Sequence, residues 1–122
     1  MNHPPISIHP YFRAHPGQLD TVRALLRKFV EKTRGEKKML RYEFTMNQEE
    51  IFCREAYQDA EGVLFHLSNV GELLNEMLKL TDLTRLEIHG PESELQKLKG
   101  PLSHFKPTWF VCECGLGVST AP

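Results

Sequence analysis

Between Leu19 and Val30 the chain reads LDTVRALLRKFV, and Leu19, Val22, Leu25, Leu26, Phe29 and Val30 recur at helical spacing. Arg23, Arg27, Lys28, Glu31 and Lys32 take the other side, and Gly35 suits the left-handed position after a last turn. A long amphipathic helix must bury its one apolar stripe against another layer. The neighbouring segments supply that layer, because their apolar residues alternate with period two. Before the helix, Ile6 and Ile8 stand opposite Ser7, His9 and Tyr11, and His15-Pro16-Gly17 then turns the chain. Pro10 has no N–H, so this first strand is expected to be an edge or to be interrupted there. After the helix, KMLRYEFTM alternates Leu40, Tyr42, Phe44 and Met46 against Arg41, Glu43 and Thr45. NQEE turns, and IFCREAY returns, so residues 38–57 read as a hairpin.

A second helix follows, with Asp59 as N-cap and Val63, Leu67 and Val70 on one stripe. His66 borders that stripe, and its residue type permits two readings. It is either a half-buried histidine satisfied by a neighbour or a group that touches a ligand. Leu73, Leu74, Met77 and Leu78 form another short stripe after Gly71, and LTRLEIH reads as a fourth strand. GPESELQKLKGP is a short helix, PTWFVCEC a strand carrying Cys112 and Cys114 on one face, and GLGVSTAP a loose tail.

The order is therefore β-α-β-β-α(α)-β with a helix and a strand appended, which is the α+β, ferredoxin-like split βαβ arrangement on an antiparallel sheet. A single domain over residues 1–122 is expected, with a core at about 5–90, an extension at about 91–114 and a tail at 115–122. Helices on one face leave the other uncovered, where Ser7, Arg41, Glu43 and Arg85 mix with apolar neighbours. A homodimer with sheets facing each other satisfies that face. Trp109, Phe110 and Phe65 can reach a second protomer or pack within their own chain.

With 40% hydrophobic and 25% charged residues and a formal net charge of −1, the chain carries no electrostatic footprint for nucleic acid. No apolar stretch approaches the roughly 20 residues of a membrane span, and MNHPPISIHP lacks the pattern of a signal peptide. Cys53, Cys112 and Cys114 form neither a disulfide framework nor a zinc site, so a reducing cytoplasm and no bound metal are expected. His3, His9, His15, His89 and His104 have no ligand spacing, though His9 and His89 sit on strands that can bring them together. Nucleophile elbows, phosphate loops, dinucleotide fingerprints and HExxH motifs are missing.

Four stretches together resemble the antibiotic biosynthesis monooxygenase superfamily of dimeric α+β barrels: FRAHPGQLD before the long helix, CREAYQDAEGVLFHL, SNVGELL and LTRLEIHG. The resemblance covers about residues 5–90 and implies a small pocket between sheet and helices in each protomer. It implies for His66 the place of the family's helix histidine, and for Tyr57 a place where many members have Trp or another aromatic. The haem-degrading branch uses a later axial His and an Asn on the first strand. Here NVGELLNEMLK has no histidine and Pro10 stands where the Asn would be, which argues against that chemistry.

For a member acting on quinols or anthrones without flavin or metal, oxygen reacts once the substrate is deprotonated in a dry pocket. His66 is the natural base, since its ordinary pKa of about 6.5 suits neutral pH. Tyr57 and Tyr42 can donate to the resulting oxyanion, and Phe44, Leu67 and Val70 supply apolar wall. The expectation is a cofactor-independent monooxygenase with no bound cofactor, taking a small quinol-like or polycyclic aromatic substrate. A noncatalytic dimeric module that binds a small hydrophobic ligand or a protein, and a small-metabolite isomerase, are the alternatives.

Overall fold

The computed structural model describes residues 3–117 of the 122, so the end of the expected tail, 118–122, lies outside the described residues. The elements run β1 (Ile6–Ala14), α1 (Leu19–Thr33), β2 (Met39–Asn47), β3 (Glu50–Tyr57), α2 (Ala60–Asn69), α3 (Gly71–Leu80), β4 (Thr81–Gly90), α4 (Glu92–Lys99), a 3₁₀ turn (Ser103–Phe105) and β5 (Thr108–Val111). The sheet order is β2-β3-β1-β4-β5. This is the expected ferredoxin-like α+β arrangement, with one correction: the sheet is mixed. β1 to β4 pair antiparallel, but β5 lies parallel to β4, because α4 carries the chain back along the sheet before it pairs again.

β1 is a central strand, not an edge. Its ladder with β3 has bonded partners at Ile8↔Glu55 and Tyr11↔Phe52 and is open between them, where Pro10 has no hydrogen to give. Of the two expectations for Pro10, interruption is the one realised. The hairpin differs in one residue: Leu40, expected to face inward, is exposed. The β2–β3 register slips between Met39 and Arg41, and the extra residue turns outward. β5 also stops earlier than expected, so Cys112 and Cys114 lie beyond it, exposed, rather than sharing a strand face.

One parity of each strand is buried under the helices. Ile6, Ile8, Tyr57, Val63, Ile88, Leu95, Leu98 and Leu102 form one apolar cluster, near α2 and α4. Phe12, Val22, Leu25, Leu26, Phe29, Ile51, Val70 and Met77 form a second, near α1 and α3. Trp109 packs on the first cluster within its own chain, Phe110 stacks on His89, and Phe65 is exposed. The sheet's other face carries Ser7, His9, Tyr11, Arg54, Arg85 and His89 at least partly accessible, and the His9 and His89 rings meet edge-on at 5.1 Å.

Two local devices aim the chain at the space between the clusters. Gly35, at φ +91°, takes the left-handed turn after α1 that most side chains resist, and the next residue, Glu36, turns into the interior. Asp59 caps α2, its carboxylate accepting from Gly62 N–H at 3.0 Å, and fixes where His66 falls two turns later. Among the described residues no helix is long and apolar enough to cross a membrane.

Candidate active site

His66 is 4% exposed, and both ring nitrogens face carboxyl groups. Nδ1 lies 2.9 Å from Glu36 Oε2, and Asn69 Nδ2 donates to the same oxygen at 2.9 Å while holding the Lys32 carbonyl at 2.8 Å. Donors converging on one Glu36 oxygen place a ring proton on Nδ1, and in the neutral ring the lone pair is then on Nε2. Nε2 stands 3.8 Å from Glu55 Oε1, which accepts the Tyr57 hydroxyl at 2.6 Å. Glu36 Oε1 has no hydrogen-bond partner among the described residues, although it is buried. Stability alone disfavours such a group.

Burial is the largest influence on Glu55 and pushes its carboxyl above the ordinary range, while His66 and the Tyr57 hydroxyl pull it part of the way back. Burial likewise pushes the Tyr42 and Tyr57 hydroxyls and the Cys53 thiol up, with Glu55 adding to each. The site therefore holds a carboxylic acid that resists ionisation beside an imidazole backed by a second carboxyl. Because folded Glu55 keeps its proton where the unfolded chain has lost it, the folded state binds more protons. Its stability falls as pH rises from about 4.3, the ordinary Glu value, toward the raised folded value. Glu55→Gln removes this dependence. Its melting temperature, compared with the parent between pH 5 and pH 8, is expected to gain progressively as pH rises. A constant difference would mean that Glu55 is ionised throughout.

Glu55 and His66 form the polar end of a cavity between the two clusters, with about 670 Å³ of atom-free space when the open mouth is counted. Of the residues expected at the site, His66, Tyr42, Phe44, Leu67 and Val70 line this cavity. Tyr57 does not. It is fully buried outside the lining and touches cavity residues through its hydroxyl on Glu55 and its ring, 5.3 Å from that of His66. Met77, read from spacing as core, is fully buried and also contributes to the wall.

Two carboxyls of this buried cluster were missed from sequence. For Glu55 a signal existed: Ile51, Cys53, Glu55 and Tyr57 share the buried parity of β3, and a carboxyl among apolar residues on that face is out of place. Glu36 carried none, following a glycine turn in a charged run. Among the described residues no cluster of three His, Cys, Asp or Glu side chains is arranged to hold a metal ion.

No protein-family model and no curated protein sequence matches the chain. Solved structures do. MupZ from Pseudomonas fluorescens is 39% identical, with a TM-score of 0.88 covering 93% of this chain and 94% of that one. An antibiotic biosynthesis monooxygenase is 20% identical, with a TM-score of 0.61 over 68% of this chain and 92% of that one. A protein from Chloroflexus aurantiacus assigned to the same group is 22% identical, with a TM-score of 0.61 over 72% and 93%. These last two match a share of this chain about as long as β1 to β4, and MupZ nearly all of it. With this strand order and these neighbours, the chain shares the fold of the antibiotic biosynthesis monooxygenase structures, and its 39% identity to MupZ over nearly all of both chains places the two in one family.

Proposed function

We propose that the protein is an acid–base enzyme of the cofactor-independent monooxygenase type, acting on a small, uncharged, quinol-like or polycyclic aromatic substrate. One observation carries this reading: His66 Nε2 and Glu55, a carboxyl that burial pushes above its ordinary range, meet at the polar end of a cavity otherwise lined mostly by apolar residues. A substrate hydroxyl placed there gives its proton to Nε2. Glu36, bonded to Nδ1, stabilises the imidazolium that forms, and Asn69 keeps Glu36 in place. The substrate oxyanion then accepts from Glu55, whose proton the dry surroundings retain, and from Tyr42. Tyr57 is a positioning residue that orients Glu55. The electron-rich anion reacts with oxygen at the ring carbon opposite its oxyanion: one oxygen atom becomes a carbonyl there, and the other leaves as water with that carbon's one hydrogen and the proton that His66 took from the hydroxyl. Tyr42, Phe44, Leu67 and Val70 hold the rings.

A second reading, isomerisation of a small metabolite, draws on the same pair. An acid held protonated beside a base is what moving a proton from one carbon to another requires. In either reading the active unit is a homodimer joined across the open sheet face, where Arg41, Glu43, Arg85 and the Phe110 ring stay accessible. It works in a reducing cytoplasm, where Cys53, Cys112 and Cys114 remain thiols. The test is an oxygen-electrode assay, with chelator present, on protein that elutes at twice the chain mass. A panel of anthrones and quinols is followed in parallel by product chromatography under air and under argon. Uptake matched by product supports the oxygenase. Product under argon without uptake supports the isomerase. No product under either gas sinks both and leaves a noncatalytic binding module.

A further inference from the structure

The cavity has a wall that the β1-to-β4 core does not build. Leu102 and Phe105, on the stretch between α4 and β5, line it opposite residues of β1 and β4. Leu102 is buried, and Phe105 packs on the cluster that includes Ile8 and Ile88.

Both ends of this stretch are fastened. On one side Leu95 and Leu98 of α4 are buried, and Glu94 Oε1 accepts from Ala60 N–H at 2.9 Å, tying α4 to the start of α2. On the other side β5 pairs in parallel with β4 at Ile88↔Trp109 and His89↔Phe110, and Cys112 N–H donates to Gly90 O at 2.8 Å. Between these anchors the chain makes one 3₁₀ turn, closed by Phe105 N–H to Leu102 O at 3.1 Å. It leaves that turn through Lys106 in a left-handed conformation at φ +53°. A short span pinned at both ends has little freedom to withdraw, so its side chains act as a fixed wall rather than as a loose lid.

We propose that Leu102 and Phe105 are specificity-determining residues that set how long an apolar substituent the substrate can carry away from its reacting hydroxyl. The proposal deepens the acid–base reading, because it concerns the same cavity and the same uncharged substrate class. The wall offers no charge and no hydrogen-bond donor to the substrate. Leu102 and Phe105 therefore select by shape and by apolar contact, favouring an alkyl or aryl group that ends against Phe105. A substituent that reaches Phe105 gains with every methylene, and one that overruns it gains nothing.

The probe is N-phenyl-1-naphthylamine, an uncharged fluorophore, displaced from the intact protein by 4-alkylphenols from ethyl to octyl. For the parent protein, affinity is expected to rise about fourfold per methylene up to a limiting length and then stop rising. Phe105→Ala should move that limit to longer chains and Phe105→Trp to shorter ones. Leu102→Ala should act in the same sense as Phe105→Ala. Phe105→Leu keeps an apolar side chain on the span and should give an intermediate limit, which separates a wall effect from simple loss of folding. A limit that stays the same in every variant overturns the proposal, as does a folded protein from which no alkylphenol displaces the probe. His66→Gln should leave the limit where it is. A shifted limit in the Phe105 variants, together with turnover that His66→Gln does not reduce, overturns the acid–base reading alone.

Discussion

His66→Gln is expected to lower kcat by roughly 100- to 10,000-fold, the usual contribution of a general base, with little change in KM. The glutamine side chain can still donate toward Glu36, so the buried carboxyl keeps a partner and the cavity keeps its shape. What it cannot do is take a proton at the position of Nε2, the nitrogen 3.8 Å from Glu55. The loss should therefore fall on the chemical step and spare binding, which apolar contacts with Phe44, Leu67 and Val70 dominate. Glu36→Gln is expected to reduce kcat to a smaller degree. An amide still accepts from Nδ1 but gives the imidazolium no opposite charge. Steady-state kinetics on both variants decide the matter. Wild-type kcat in His66→Gln would take the histidine out of the mechanism and return it to the bland reading of a satisfied interior side chain.

The largest effect on stability is expected from His66→Leu, at about 3–5 kcal/mol, because it leaves Glu36 buried without its principal partner. That is a large part of the roughly 5–15 kcal/mol that holds a domain of this size together. The leucine fills the space well, so the cost is electrostatic: the Glu36 side chain is 3% exposed, and one of its oxygens already lacks a partner. The double variant His66→Leu/Glu36→Leu should recover most of the loss, since replacing both partners of a buried hydrogen bond with apolar residues is often nearly neutral. Urea unfolding of the two variants and the parent reads this out as a coupling between sites. A cost below about 1 kcal/mol in His66→Leu would show that the His66–Glu36 contact contributes little to stability.

Together these variants address why the polar cluster exists at all. Glu36, Glu55 and His66 all lie inside the fold, and burial raises the Glu55 carboxyl. An apolar interior at the same positions would satisfy packing without an orphaned oxygen. The cluster is the place where the chain departs from what stability prefers, and it coincides with the cavity.

Much of this architecture was legible beforehand, because helices and strands leave their period in the order of residues. The stripe from Leu19 to Val30, the β2–β3 hairpin, Asp59 as N-cap and Gly35 after α1 are local patterns, and the structure keeps them except at the stripe's last residue, Val30, which is exposed. His66, Tyr42, Phe44, Leu67 and Val70 at the cavity follow from the same periodicity joined to the family resemblance. The inward aim of Glu55 was also written in β3, where it shares the parity of Ile51, Cys53 and Tyr57.

The tertiary structure alone decided the rest. Glu36 and His66 are 30 residues apart, and no periodicity links them. They meet because Gly35 turns the chain inward at the end of α1, and because packing of α1 and α2 on one sheet brings those ends together. The same holds for Tyr57, whose hydroxyl went to Glu55 rather than to the cavity, and for β5, whose direction depended on where α4 left the chain. It holds for Leu102 and Phe105, which reach the cavity only because their span is pinned between α4 and β5. A residue's own neighbours set its period and its face. Its partners across the fold are set by how whole elements pack, and this protein's buried His66–Glu36–Glu55 cluster and cavity wall are made of such partners.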